Sequence, residues 1–417
     1  MKNLLKTIIR DFHTRNLPEV IERKIKVPLN SKKIVTLIGP RRAGKTYLLY
    51  QLMNEIKNKE HIIYINFEDE RLQLQAKELQ LIIDAYLELY PNIKEKDVYF
   101  FFDEIQEIDG WEKFIRRIYD QVSQKIFITG SSAKLLSKEI ATSLRGRTIA
   151  YEVYPLSFEE YLQFKKQMPD LHSTKGKAKL VRLFDTYLEQ GGFPETVRMT
   201  QELRTKTLNN YFEVMLYRDV AERYNISNIL ALKTFIKKII SNTAKDSSIN
   251  KIFNEFKSQG LKVSKDSLYK FVDYCEDAYL FFMLRQFSES LAKQIPKKSY
   301  SIDTGLSSQL SFSLSKDLGR LLENIIFLEL KRRGQDIFLF RDSVECDFIL
   351  KSKDKVVQAI QVCYFLNDKN KERELAGLEK AMKRFSLQKG IIISRDQEGT
   401  IGNVSVIPAW KWLLENK

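Results

Sequence analysis

The first stretch able to do chemistry is Gly39-Pro40-Arg41-Arg42-Ala43-Gly44-Lys45-Thr46, which meets the spacing G-x-x-x-x-G-K-[ST] in full. Gly39 and Gly44 let the backbone bend so that successive N–H groups point at phosphate oxygens. Lys45 places a charge against β- and γ-phosphates, and Thr46 offers a hydroxyl to Mg²⁺. Arg41 and Arg42 are candidates to touch nucleotide or substrate, and all eight residues are the expected binding segment for ATP. Such a loop must lie between a strand and a helix. KKIVTLIG is an apolar run ending in glycine. TYLLYQLMNEIK spaces Leu48, Leu49, Leu52, Met53 and Ile56 as a helix does. The bland alternative is a glycine turn, which leaves Lys45 and Thr46 unexplained.

A second acidic element follows at the expected place. Tyr99-Phe100-Phe101-Phe102-Asp103-Glu104 reads as a buried strand ending in two carboxylates. Asp103 would hold Mg²⁺ through water, and Glu104 would polarise an attacking water as general base. The competing reading is that both merely start a helix. The next strand ends in Thr129-Gly130-Ser131-Ser132. Ser131 is the first choice to sense a γ-phosphate, with an ordinary turn as the alternative. Beyond it, in Ser143-Leu144-Arg145-Gly146-Arg147, Arg147 and then Arg145 are candidates to stabilise charge on a transferring phosphoryl group from a neighbouring subunit. A solvated or structural arginine is the alternative for each.

The elements that must position these residues alternate. After KKIVTLIG come the strands HIIYINFED, VYFFFDEI and KIFITGSS, with helices LQLIIDAYLELY and KFIRRIYDQV between them. Strand–helix alternation predicts a parallel sheet covered on both faces. Residues 1–30 read as a lead-in helix and linker, 31–154 as the P-loop core and 155–229 as amphipathic helices broken at GGFP. Residues 230–317 read as a winged-helix-like region with Ser264 and Asp266 as candidate helix caps. Residues 318–417 return to mixed strands and helices. The expected class is α/β: a P-loop parallel sheet, then a helical and winged-helix region, then a small α/β domain.

GPRRAGKT, INFEDE, FFDEIQEIDGWEKFIRRIYD, ITGSSAKLLSKEIATSLRGR, YPLSFEEYL, GGFPE, YRDVAERY, YSIDTGL, RLLENIIFLELKRRG and ECDFIL occur in that order. Together they resemble the AAA+ type ATPases of archaea and bacteria that end in a restriction-endonuclease-like domain of unknown function. The resemblance spans about residues 15 to 365. It implies an AAA+ core, a helical and winged-helix middle and a nuclease-like tail, with no defined substrate.

Nucleases with that core gather Mg²⁺ with a helix Glu, a strand Asp and a Glu-x-Lys on the next strand, whose lysine helps to activate water. Glu323 in LLENIIFLEL and Asp347 in ECDFIL match the first two. Gln361 then stands in place of the second Glu, and Cys363 in place of the Lys. Gln carries no charge and Cys no ammonium group, so a degenerate site used for binding or structure is expected. A weakened nuclease and a different fold remain alternatives. Glu345 is a spare carboxylate whose direction depends on strand register.

Composition bounds the partners. The 417 residues call for two or three domains. The net charge of +15 favours polyanions, DNA first among them. Lys262, Lys265, Lys270 and the basic run LELKRRG are candidate phosphate contacts. Tyr269, Phe271 and Tyr274 beside them read as core rather than stacking surface. Cys275, Cys346 and Cys363 are too scattered for a disulfide framework or a zinc site. No apolar run reaches membrane-spanning length, and a cytoplasmic protein is expected. The expected activity is ATP hydrolysis coupled to DNA, within an oligomer when nucleotide is bound. A regulatory switch holding a protein partner and an ATP-dependent nuclease are the alternatives.

Overall fold

Short apolar runs become the strands β1 (Ile34–Ile38), β2 (Ile62–Asn66), β3 (Tyr99–Asp103), β4 (Ile126–Gly130) and β5 (Thr148–Glu152). They pair in parallel in the order β2-β3-β4-β1-β5. Every residue of β1 and β4 is buried, as expected for central strands covered on two faces. The sequence predicts four of these strands. It misses β5, because Thr148–Glu152 lies on the sheet edge, keeps no residue fully buried and so shows no apolar run.

The computed structural model describes residues 1–130, 144, 146–290, 294–311 and 317–415. Ser131 and Arg145 lie outside them. The chain divides into two compact units, 1–153 and 154–417.

In the first unit the helices Lys45–Asn54, Gln80–Leu89 and Glu112–Gln121 follow β1, β2 and β3. Leu48, Leu49, Leu52 and Met53 from the first of them join Val35, Leu37, Phe101 and Phe127 in one core. Phe12, from the helix Lys2–Thr14, and Val27 belong to the same core. The lead-in segment is thus packed into the sheet's covering layer.

The second unit begins with the helices Phe158–Phe164, Thr174–Gln190 and Gln201–Val214, the last running into a π-helical turn at Met215–Glu222. Ile229–Ser241, Ile249–Ser258 and Lys265–Asp277 come next. Ser264 caps the third of these by accepting from the Ser267 N–H at 3.0 Å. β6 (Phe281–Arg285) and β7 (Pro296–Ser301) then pair antiparallel. After the helices Thr304–Leu310 and Leu318–Arg332 come β8 (Asp336–Arg341), β9 (Glu345–Ser352), β10 (Lys355–Cys363), β11 (Gly390–Ser394), β12 (Gly399–Ile401) and β13 (Val404–Pro408). They form a mixed sheet in the order β12-β13-β11-β10-β9-β8. The helix Lys371–Arg384 covers it through Leu378, Ala381 and Met382, and Ala409–Leu414 follows β13.

Two sequence landmarks of this unit meet at Asp303. Its Oδ2 accepts from the Gly192 N–H at 2.6 Å, and its Oδ1 caps Thr304–Leu310 by accepting from Leu306 N–H at 3.0 Å. A Cβ on Gly191, whose φ is +75°, would lie 2.2 Å from Asp303 Oδ1, so GGFP and YSIDTGL interlock only with glycine there. Burial pushes the Asp303 carboxyl up from 3.8 to about 6, against the opposing pull of the Gly192, Leu306 and Gly305 N–H groups. Tyr187, the buried titratable neighbour, is pushed up by burial as well and stays neutral over this range. Because the folded state holds the Asp303 proton more tightly, its contribution to stability is whole below pH 3.8 and is lost as pH rises through about 6. Asp303→Asn is expected to flatten the urea-unfolding free energy between these pH values by roughly 3 kcal/mol relative to the parent. Parallel pH profiles of parent and variant would contradict this.

Candidate functional site

The loop 39–46 leaves β1 and enters the helix Lys45–Asn54 through three residues with positive φ: Gly39 (+147°), Arg42 (+66°) and Gly44 (+97°). A Cβ on Gly39 would meet the Val153 carbonyl oxygen at 2.1 Å, so β1 can end this close to the chain leaving β5 only with glycine. Lys45 is buried, with Nζ donating to the Gly39 and Pro40 carbonyls at 3.2 Å each and lying 3.6 Å from Glu104 Oε1. Arg41 donates to Glu68 Oε1 at 2.8 Å. From below, the buried Arg23 donates through Nη1 to the Ala43 carbonyl at 2.7 Å, while its N–H donates to Gln51 Oε1. Arg23 is absent from the sequence-based candidates because it precedes the motif and lies in a segment without periodicity.

Asp103, at the end of β3, joins the loop to the neighbouring strands. Its Oδ2 accepts from the Thr46 hydroxyl at 2.7 Å and the Tyr64 hydroxyl at 3.2 Å. Its Oδ1 accepts from the Thr129 hydroxyl at 2.5 Å. The Thr129 oxygen in turn accepts the Glu104 N–H at 2.8 Å. Thr129 is thus the polar residue at the end of β4 that fixes both acids, while Ser131, the sequence's first choice there, lies outside the described residues. The available signal was that Thr129 is the one hydroxyl-bearing residue in an otherwise apolar, fully buried strand.

Glu104 adopts the left-handed region, φ +52°, and Gln106 Nε2 donates to its Oε2 at 2.5 Å. Burial raises the Glu104 carboxyl, but Lys45, Gln106 and Arg41 outweigh it and hold the group below its ordinary value. Burial moves Asp103 the other way, upward, against the hydrogen bonds from Thr129 and Thr46. Thr46 and Asp103 thus converge on one point at the loop mouth, as a cation bridging a hydroxyl and a carboxylate requires.

Arg147 is elsewhere. Its carbonyl accepts from Ile34 N–H at the start of β1, and its guanidinium pairs with Asp120 at 3.0 Å. The loop follows the far end of β1, a strand's length away, so within one chain Arg147 does not meet the phosphate site.

A model described as an AAA domain matches residues 31–162, and one described as a domain of unknown function (DUF8612) matches residues 181–317. "Uncharacterized protein MJ1544" of Methanocaldococcus jannaschii is 41% identical, over 98% of this chain and 94% of its own. The chain belongs to the family of that archaeal protein. An uncharacterized Haemophilus influenzae protein is 31% identical over 92% of this chain and 94% of its own. Among solved structures, the Walker-type ATPase Paby2304 of Pyrococcus abyssi superposes with a TM-score of 0.41 and 16% identity, covering 71% of this chain and 99% of that one. A likeness that low adds nothing to the reading of the site.

The tail contains a second cluster. Glu323 on Leu318–Arg332 and Asp347 on β9 do come together, as the sequence predicts, but around Lys298 of β7. Gln361 reaches only the Asp347 backbone, its Oε1 accepting that N–H at 3.2 Å, while its Nε2 donates to Glu374. Cys363 follows Gln361 by two residues on β10. It packs with Leu378, Ala381 and Cys346 against Lys371–Arg384, and burial raises its thiol to about 11, away from thiolate chemistry.

The basic run at the end of Leu318–Arg332 is also occupied internally. Arg332 and Arg333 both pair with Glu329, Arg332 donates to the Pro155 carbonyl, and Arg333 lies over the Trp412 ring. Lys262, Lys265 and Lys270 stay exposed. Beside them, Phe271 is buried, the half-buried Tyr274 stacks on Tyr224 at 3.7 Å, and Tyr269 is exposed. None of the described helices is long and apolar enough to cross a membrane.

Proposed function

We propose that this protein binds and hydrolyses ATP and uses the cycle on DNA. One observation carries the first half: Asp103 takes hydrogen bonds from Thr46 and Thr129 directly beneath Lys45 and Glu104. Lys45 neutralises the β- and γ-phosphates once its hydrogen bonds pass from the Gly39 and Pro40 carbonyls to the nucleotide. Mg²⁺, held by Thr46 and through water by Asp103, would spread charge off the same oxygens. Glu104, kept ionised by Lys45 and aimed by Gln106, takes the proton of the attacking water. Thr129 fixes both acids, holding one side chain and one backbone, so that a shift of β4 moves them together. Arg147 acts, in this reading, only from a neighbouring chain, with Asp120 as its resting partner. That requires a dimer or ring.

DNA is the proposed polyanion because of the net charge of +15 and the exposed Lys262, Lys265 and Lys270 on and just before the helix Lys265–Asp277. ATPase rate with and without duplex DNA, together with binding at several salt concentrations, tests this. Stimulation and salt-weakened binding are expected. ATP turnover with no DNA response at low salt would leave the ATPase and remove the DNA role. The internal pairing of Arg332, Arg333 and Arg341 favours the second reading, a switch whose tail holds a protein. Partners that remain bound after nuclease treatment would support it.

A further inference from the structure

Nuclease-like tails place a divalent cation between a helix carboxylate and a strand carboxylate. Here that place holds an ammonium group. Lys298 Nζ lies 2.9 Å from Glu323 Oε1, 2.9 Å from Asp347 Oδ1 and 2.7 Å from Glu345 Oε1. Tyr300, two residues on in β7, donates to the same Glu323 oxygen at 2.6 Å and stacks on Phe327 at 4.2 Å. Lys298, Glu323 and Asp347 are each less than one-tenth exposed. The free Asp347 oxygen, Oδ2, accepts the Val362 N–H at 3.0 Å, and Glu345 pairs with Arg341, which also holds Asp246. Every carboxylate of the cluster is thus already matched to a cation or donor supplied by the chain.

β9 is built for this. Its register against β8 shifts between Phe338, opposite Ile349, and Phe340, opposite Cys346. Cys346 and Ile349 both pack toward Lys371–Arg384. The bulge lets Asp347, lying between them, reach Lys298. β7 is held in turn: Ser299 donates to the Ile239 carbonyl and meets Ser247 at 3.2 Å. The strand pair β6–β7 therefore does not hang free as a groove-reading wing. Its second strand is clamped between Ile229–Ser241 and the mixed sheet.

We infer that Lys298 is the resident cation of the Glu323–Glu345–Asp347 cluster, that the cluster takes no divalent metal while that ammonium is present, and that its work is to strap β7 to the sheet. The residues do not fit the metal centre that the nuclease-like resemblance implies. The misfit lies less in Gln361 and Cys363 than in a lysine from outside the motif. A buried carboxylate pair stripped of its cation is costly, so a chain lacking the ammonium should recruit a metal in its place.

The test is Mn²⁺ binding followed by electron paramagnetic resonance, with thermal unfolding, on the full chain without nucleotide. Lys298→Met should unfold at lower temperature than the parent, gain one Mn²⁺ equivalent and recover part of the lost stability when Mn²⁺ is added. Adding Asp347→Asn should remove the gained equivalent. Lys298→Arg, which keeps a cation, should gain none. In the parent background, Glu323→Gln and Asp347→Asn should leave the Mn²⁺ count unchanged, and this arm decides the matter even if Lys298→Met fails to fold. Loss of an equivalent in either parent-background variant, or a folded Lys298→Met that gains none, overturns the inference.

Discussion

Glu104→Gln is expected to lower ATP turnover by about 10²–10⁴-fold while leaving ATP affinity within a few-fold of the parent. Gln keeps the shape of the side chain and can still meet Gln106, which donates to Glu104 Oε2 at 2.5 Å. It cannot accept a proton from water. The left-handed backbone at Glu104 and its N–H bond to Thr129 do not depend on the carboxylate, so the strand end should stay in place. Lys45 loses a charged neighbour at 3.6 Å, which if anything frees it for phosphate. Single-turnover hydrolysis with a parallel nucleotide-displacement titration checks this. A rate within three-fold of the parent would move the base elsewhere. A large loss of affinity would make Glu104 a binding residue.

Gly39→Ala should damage the site from the other side, by backbone rather than chemistry. Its φ of +147° is close to inaccessible to a residue with a Cβ, a strain of about 1–3 kcal/mol. The new methyl would also stand 2.1 Å from the Val153 carbonyl oxygen. Neither side yields easily: Val153 N–H donates to the Ile38 carbonyl at 2.6 Å, and Ile38 ends a fully buried strand. The loop must shift, and its N–H groups lose their aim at the phosphates. A strain of about 1–3 kcal/mol corresponds to about 5–150-fold in an equilibrium constant, so the ATP dissociation constant should rise within that range, with a lower unfolding temperature. Unchanged affinity would mean that the loop does not need its present path to hold nucleotide.

The two candidate sites differ in how far they could be read from sequence, for a physical reason. The phosphate site is written in contiguous segments. Loop, strand end and helix start follow one another, and their periodicities are local. What escaped notice there comes from distant or patternless residues: Arg23 beneath Ala43, and Thr129, concealed by its own apolar strand. β5 escaped because that edge strand keeps no buried residue. In the tail, Glu323 and Asp347 were legible as a pair. The cation between them, Lys298, was not, because it comes from a strand outside the motif.

By itself the sequence determined the P-loop and the acidic strand end beside it. Eight consecutive residues and a strand ending in Asp103 and Glu104 carry both their side chains and the turn that presents them. Only the tertiary structure decided what occupies the second acidic cluster. Lys298 lies 25 positions from Glu323 and 49 from Asp347, on a strand with no apolar pattern to announce it. A charge becomes a neighbour there through packing alone, since the pairing of β7 with β6 and the bulge in β9 bring the ammonium to the carboxylates.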